Sequence, residues 1–487
     1  MFLKNRKVAG TSMEFFLSAF CGGEDVITPV GEEAKFLPQA LQAEFGRKVR
    51  FQNYRSFFNH VSGVKTRDIL GDDLWPQYFT FTFERNPISK VRSLFYFNTA
   101  DVSGDGDPVA DFLDTVYPDY QSDAFRYTAN DRIIVDFVGN YDRLNEDFGT
   151  ICRRLQIPFH GEIGFNAKTW QAAGRKEFTI GPALRQEIAD AFALEARHLP
   201  WMGVEGARPS SDAALPWCEA RAARQNGRLD DARQMITRAL RSDPTFSPAR
   251  HEHAVILWQL GKRQEALKQM SDLLSDEPAR IAYRLEYGMM QHRNGDWDDA
   301  EQTLGQAVEM SPRSPRVRIR LARCLAASDS SAEAATELRK AMKLLREGSS
   351  RWNASYVRLL CWEGRTQKAK AYIDGKYVSQ NDDGEIVVPF GRISYRHRVD
   401  LMRIVGNQEL KAGRFRRAID TLADDDLVDH SGGASVVNLV EKLAHKDMRA
   451  EAKAVVASVL NRNPWSPSFI ECAQSYAKTD DRAPADG

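Results

Sequence analysis

Three segments, GRLDDARQMITRALRSDP (227–244), GKRQEALKQMSDLLSDEP (261–278) and GDWDDAEQTLGQAVEMSP (295–312), align at a spacing of 34 residues. Gly227, Gly261 and Gly295 open them, Ala232, Ala266 and Ala300 take the sixth place, and Pro244, Pro278 and Pro312 close them. Twelve residues before Ala232, Ala266, Ala300 and Ala334 stand Ala220, Ala254, Gly288 and Ala322, all small. Small residues let the two helices of a unit approach closely. A glycine ends the first helix, and a proline stops the second before the next unit begins. The four columns therefore predict stacked helical hairpins. The pattern continues through Ala334 and Ala341, loosens around Gly364 and Ala369, and returns at Gly413 with Ala418 and at Ala452 with Pro464, for six or seven helical pairs over 217–478. Residues 375–398 place turn formers between β-prone runs and read as an inserted hairpin, and 479–487 as a flexible tail.

Upstream of the repeats the texture changes. Residues 203–216 are rich in Gly, Pro and Ser with no apolar period, which marks 207–216 as a linker. Residues 1–206 alternate β-prone runs (78–83 and 132–138) with helical stretches, the signature of an α/β layer with a parallel sheet flanked by helices. Such folds carry ligand sites at strand ends. The chain of 487 residues has 67 Lys plus Arg and 67 Asp plus Glu, but residues 1–207 hold 23 against 28 (net −5), leaving 44 against 39 (net +5) beyond. A net charge of zero offers no global field for nucleic acid or an anionic membrane. Six cysteines without a CxxC pair suggest neither a disulfide framework nor a zinc cluster, and no run suits a membrane helix or a leader, so a cytoplasmic protein is expected.

Two loops carry the chemistry. Lys7-Val8-Ala9-Gly10-Thr11-Ser12 leads into an apolar-periodic helix, a turn that would set backbone N–H groups, two hydroxyls and the Lys7 ammonium around an anion. It lacks the lysine placement of a Walker loop. After the strand 78–83, Arg85-Asn86-Pro87 opens a second helix containing Lys90, Arg92 and Ser93. Arg85 and Ser93 could meet one phosphate, whereas Lys90 and Arg92 are expected to be solvated. Asp101–Asp107 starts like a calcium loop, but Phe112 stands where the bidentate glutamate belongs, so a solvated loop is expected.

These two loops, with the stretch from Asp136 to Phe148, resemble the cofactor motifs of sulfotransferases that use 3′-phosphoadenosine 5′-phosphosulfate (PAPS), close to the carbohydrate and uronyl 2-O group. The repeats resemble the tetratricopeptide repeat. The first resemblance covers about residues 1–205 and implies a P-loop-like domain followed by an all-α solenoid. It implies that Lys7, Val8, Ala9, Gly10, Thr11 and Ser12 hold the 5′-phosphosulfate, that Arg85 and Ser93 bind the 3′-phosphate, and that Lys168, Arg175 and Lys176 could close over it. It further implies a catalytic base at His60, with Lys7 stabilising the departing nucleotide, and no metal. The acceptor expected is a hydroxyl of a carbohydrate, and the repeats would recruit a partner. Two alternatives stand beside this reading: a catalytically inactive scaffold, and a nucleotide kinase, which would need a magnesium-binding motif that the loops lack.

Overall fold

The structure, a computed structural model, describes residues 1–26, 60–116, 122–163, 178–328, 330–377, 379–380, 386–387, 395–422, 434–446 and 448–462. Two compact units divide the chain: Met1–Cys21 with Asn59–Arg346, and Gly22–Phe58 with Glu347–Gly487.

The first unit opens with a small parallel sheet. Phe2 bridges to Phe81 of β1 (Phe81–Glu84), and β1 pairs in parallel with β4 (Phe137–Asn140), Phe81 facing Phe137. Helix α1 (Gly10–Ser18) follows the first bridge, and α2 (Gly63–Leu74) precedes β1. Helices α3 (Pro87–Asn98) and α4 (Pro108–Leu113) lie in the crossover from β1 to β4, and α5 (Leu144–Leu155) follows β4. Parallel neighbours need such a crossover, because a hairpin turn cannot reverse the chain twice. The run 132–138 is not one strand, as its composition suggests. Arg132–Ile133 forms β3 in a two-residue ladder with β2 (Thr128–Ala129), and the chain then bends at Val135–Asp136. The bend is held by the Asp136 carboxylate, which accepts from Thr80 N at 2.7 Å and Thr80 Oγ1 at 2.8 Å.

Helices α6 (Pro182–Ala191) and α7 (Ala193–His198) lead into the repeats. Seven helical pairs follow among the described residues. In the first unit they are α8 and α9 (Ala214–Gln225, Leu229–Ser242), α10 and α11 (Ser247–Gln259, Arg263–Asp276), α12 and α13 (Ile281–Asn294, Trp297–Met310), and α14 and α15 (Pro315–Leu325, Ser331–Lys343). In the second they are α16 and α17 (Ser350–Trp362, Thr366–Tyr377), α18 and α19 (Tyr395–Lys411, Phe415–Leu422), and α20 and α21 (Ala434–His445, Arg449–Arg462). Gly227, Gly261 and Gly295 each take a positive φ between paired helices, the conformation a side chain resists, while Ala232, Ala266 and Ala300 are completely buried. Between α17 and α18, Ser379–Gln380 (β5) pairs antiparallel with Ile386–Val387 (β6), inside the stretch read as a hairpin.

The stretch 207–216 is tied down. Ser210 donates twice to Asp190 and Ser211 Oγ donates to Asp243 at 2.7 Å, while Ala213 and Ala214 are buried and α8 has already begun at Ala214. One hydrophobic cluster runs from Leu3, Val91 and Phe95 through Phe192 and Trp217 to Ile256, across that stretch. The loop 101–107 is exposed at Gly104 and Asp105, in line with a solvated loop, but its backbone is tied down. The carbonyls of Asp105 and Gly104 accept from Arg313 at 2.8 and 3.2 Å, Ser103 N donates to Leu344 O at 2.9 Å, and Asp107 caps α4.

Candidate functional site

After Leu3 the chain turns over residues 4–9 before entering α1. Lys7 (φ 61°) and Ala9 (φ 56°) both take left-handed backbone, which costs of order 1 kcal/mol or more for a residue with a side chain. Neighbouring contacts enforce it. Asn5 Nδ2 donates to Phe83 O (3.1 Å) and Glu84 Oε1 (2.8 Å); Arg6 N and Nε donate to Asp123 Oδ2 (3.0 Å) and Oδ1 (2.6 Å). Gly10 does not carry the strain. It is required because a Cβ there would sit 2.6 Å from Lys4 Cγ, whose Nζ reaches Glu14 Oε2 at 2.5 Å. Val8 is fully buried against Phe83 and Phe148 in a second apolar cluster, and Thr11 and Ser12 are buried in the first turn of α1. Ala9, at the N-cap, supplies no capping side chain. The Lys7 ammonium lies 4.3 Å from the Phe97 ring centroid.

Arg85 comes to the same turn from the end of β1. Its Nη1 donates to Lys7 O at 3.4 Å, its Nε to Ser89 Oγ, and its guanidinium lies 4.3 Å from the centre of the Tyr141 ring. No carboxylate pairs with it among the described residues. Burial lowers its pKa, while Tyr141 and Asp142 pull it back, so it stays cationic. Ser93 is half-buried one helical turn beyond Ser89, on the same face of α3. The expected Arg85–Ser93 fork is thus drawn out along the helix, with Ser89 between the two. Lys168, Arg175 and Lys176 lie outside the described residues.

His60 also reaches this turn. Its Nδ1 lies 2.9 Å from Lys4 O, and since a carbonyl only accepts, Nδ1 carries the proton and Nε2 the lone pair. Burial, reinforced by Lys4 and Arg126, pushes its pKa down to about 3, so the ring is neutral at pH 7 and weakly basic.

Beneath the turn lies a group that the sequence did not single out. Lys90, expected to be solvated, is completely buried, with Nζ 2.8 Å from Glu84 Oε2 and 2.8 Å from Asp123 Oδ2. Arg126 pairs with Asp123 and donates from Nε to His60 O at 3.1 Å. Ser122 Oγ donates to Glu195 Oε1 at 2.5 Å. Burial and then the charge of Glu84 push the Glu195 carboxyl up to about 7. Among the described residues no cluster of His, Cys, Asp and Glu is arranged to hold a metal ion.

A second concavity lies on the repeats, a cavity of about 400 Å³ lined by α6 and the first helices of three successive pairs, with Trp217, Arg221, His251, Trp258, Tyr283 and Arg293 on its walls. Two of its arginines are neutralised by acids of the same lining. Arg280 forks onto Glu187 at 2.7 and 2.8 Å, and Arg224 pairs with Glu252. His251 stacks on Tyr283 with ring centres 5.1 Å apart.

With the 34-residue columns seated on paired helices, comparison with known proteins identifies the array: the tetratricopeptide-repeat family profile matches residues 223–285 and 292–354. These residues are tetratricopeptide repeats. A protein of Archaeoglobus fulgidus described only as uncharacterized is 29% identical over 107 residues, 20% of this chain and 86% of its own length. Among solved structures, a tetratricopeptide repeat protein from Parabacteroides merdae is similar over 53% of this chain and 92% of its own (16% identity, TM-score 0.37). A thermophilic repeat protein of Thermus thermophilus is similar over 48% and 99% (16% identity, TM-score 0.29), and PilF of Pseudomonas aeruginosa over 54% and 97% (15% identity, TM-score 0.32). None of the described helices is long and apolar enough to cross a membrane.

Proposed function

We propose that the chain is a PAPS-dependent O-sulfotransferase whose tetratricopeptide repeats dock a protein partner. The observation that carries the first half is Arg85, a partly buried guanidinium with no carboxylate partner among the described residues, bonded to the backbone of the Lys7 turn where α1 begins. Other cations nearby, Arg6, Lys90 and Arg126, are all paired with acids. A desolvated cation left unpaired is costly, and a phosphate oxygen offered to Arg85 at a helix N-terminus meets both the guanidinium fork and the helix dipole. The residues thus suit an anionic nucleotide: Lys7 and the Gly10–Ser12 turn for the 5′ group, Arg85 and Ser93 for the 3′-phosphate. When bound, PAPS supplies a sulfuryl group on a leaving bisphosphate. A hydroxyl acceptor would lose its proton to His60 Nε2, and a carbohydrate is proposed as acceptor on the resemblance alone. The low basicity of His60 favours a second reading, a nucleotide-binding scaffold without turnover.

Calorimetry with adenosine 3′,5′-bisphosphate tests this. The expected outcome is micromolar or tighter binding that weakens at least about tenfold in Arg85→Ala, the loss of a charge-assisted hydrogen bond. No heat with the bisphosphate, or preference for ATP with magnesium, sinks the reading. Binding without transfer of labelled sulfate to any glycan or peptide leaves the scaffold.

A further inference from the structure

We infer that the far end of the repeat groove, where Arg293, Arg320 and Arg323 converge, docks an acidic peptide segment of a protein partner. The inference rests on the docking half of the reading above and not on the transferase half. The 34-residue period places the residues. Glu252 and Glu286 line the cavity, and the next residue in their column is Arg320. Arg221 and Val255 line it as well, and their column runs on through Met289 to Arg323. Arg293 lines the cavity itself. The first column therefore changes from acidic to basic in the fourth pair and the second regains an arginine there, at positions that the repeat geometry directs to one surface.

Their charges are uncompensated. Arg293, Arg320 and Arg323 make no hydrogen bond or ion pair among the described residues, whereas Arg224, Arg250, Arg280 and Arg318 in the same array each hold a carboxylate. Arg320 and Arg293 each lie close enough to Arg323 to repel it. Burial, Arg320 and Arg293 lower the pKa of Arg323, and burial, Arg323 and Arg293 lower that of His292, whose ring packs edge-on against Trp297. Like charges held together without a counter-ion destabilise the folded chain, the signature of a surface shaped for binding rather than stability. Guanidinium forks match carboxylates in a bidentate way. Arg293 shares its cavity with Trp258 and Tyr283, so three guanidinium groups with an aromatic wall on the Arg293 side suit a short segment with two or three acidic side chains and an apolar residue. A duplex or a long polyanion would need an extended basic field, which Glu252 and Glu286 interrupt along the same column.

The test uses the full chain and a fluorescein-labelled peptide alternating Asp, Glu and Leu, against the same peptide with Asn and Gln. Fluorescence anisotropy should show salt-sensitive binding of the acidic peptide, at least about tenfold tighter than the amide peptide. The variant R293Q/R320Q/R323Q should lose about tenfold or more in affinity, with a melting temperature equal to or above that of the parent and an unchanged bisphosphate titration. The inference is overturned by equal binding of the amide peptide, by parental affinity in the triple variant, or by preference for a heparin-type glycan over the peptide. A bisphosphate titration that fails while peptide binding persists removes the transferase reading alone.

Discussion

At the residue scale, the candidate anion site is organised by one carboxylate. Asp123, completely buried, receives Arg6 N and Nε, Lys90 Nζ and Arg126. Arg126 holds His60 O, and His60 Nδ1 holds Lys4 O, two residues before Arg6. The ring closes, so Asp123 fixes the anion turn and the candidate base together. Removing its charge leaves buried cations short of a partner, and Asp123→Asn should cost about 3–5 kcal/mol, read as a lower midpoint in urea unfolding. Titration adds a second expectation. His60 has its pKa pushed down to about 3 in the folded chain, so between its ordinary value of 6.5 and 3 the unfolded state binds the extra proton and stability falls as pH falls. Glu195 is pushed up to about 7, so from its ordinary value of 4.5 up to 7 the folded state binds the extra proton and stability falls as pH rises. Urea midpoints across that range should show a flatter acid limb in His60→Gln and a flatter neutral limb in Glu195→Gln; parental slopes in both would remove the assignment. Lys7 and Arg85 stand out in the sequence because loops before helices have a local pattern, whereas His60 is a candidate through the family resemblance alone. Asp123, Lys90 and Glu195 do not stand out, since each meets partners far along the chain and no spacing announces a buried ion pair.

At the element scale, the repeats were legible because each column answers a local demand repeated every 34 residues. Gly288 shows how literal that is. It takes the place held by Ala220, Ala254 and Ala322, and a Cβ there would lie 2.8 Å from Leu304 Cγ and 2.9 Å from Cδ2, so α12 and α13 approach more closely than an alanine allows. Alanine would gain about 1 kcal/mol in helix propensity but incur overpacking of about 1–3 kcal/mol. Gly288→Ala should therefore lower the melting temperature, and pairing it with Leu304→Ala should recover less than additive loss. A higher melting temperature in the single variant would show that the helices can separate at no cost. The sheet was less legible. Composition marked 132–138 as β-prone, yet the chain bends where the Asp136 carboxylate caps Thr80, a contact 56 residues away. The loop 101–107 shows the same limit: beside its exposed Gly104 and Asp105, the Asp105 carbonyl and Ser103 N meet Arg313 and Leu344, partners more than 200 residues away.

At the scale of the whole molecule, composition suggested a cut near residue 207, but the physical connections of the first unit cross it. Asp111, completely buried, accepts from Ser314 Oγ at 3.0 Å and Arg316 N at 2.9 Å and pairs with the Arg316 guanidinium, whose Nη2 also donates to Asn98 O at 2.9 Å. Val102 bridges to Leu345, and Arg346 N donates to Asp101 O at 2.8 Å. Asn226 Nδ2 donates to Phe125 O at 2.9 Å, and Trp217 lies in one apolar cluster with Phe95 and Phe192. The Gly- and Pro-rich composition of 203–216 signals irregular backbone, but irregular backbone can be packed, and only the partners of Ser210, Ser211 and Ala213 reveal that it is. A fragment 1–206 would expose the apolar residues that α8 to α10 cover and strand Asp111 without Arg316. Burying those residues is worth about 25 cal/mol for each Å² of apolar surface, and the uncovered acid adds its own desolvation cost. Expressed alone, 1–206 should bind a hydrophobic dye and lack a cooperative melt, whereas 1–346 should melt in one transition. Within 1–346, Arg316→Ala should lower that transition by breaking a buried pair, about 3–5 kcal/mol. Cooperative melting of 1–206 at the temperature of 1–346 would show that the repeats contribute nothing to the fold of the chain before them.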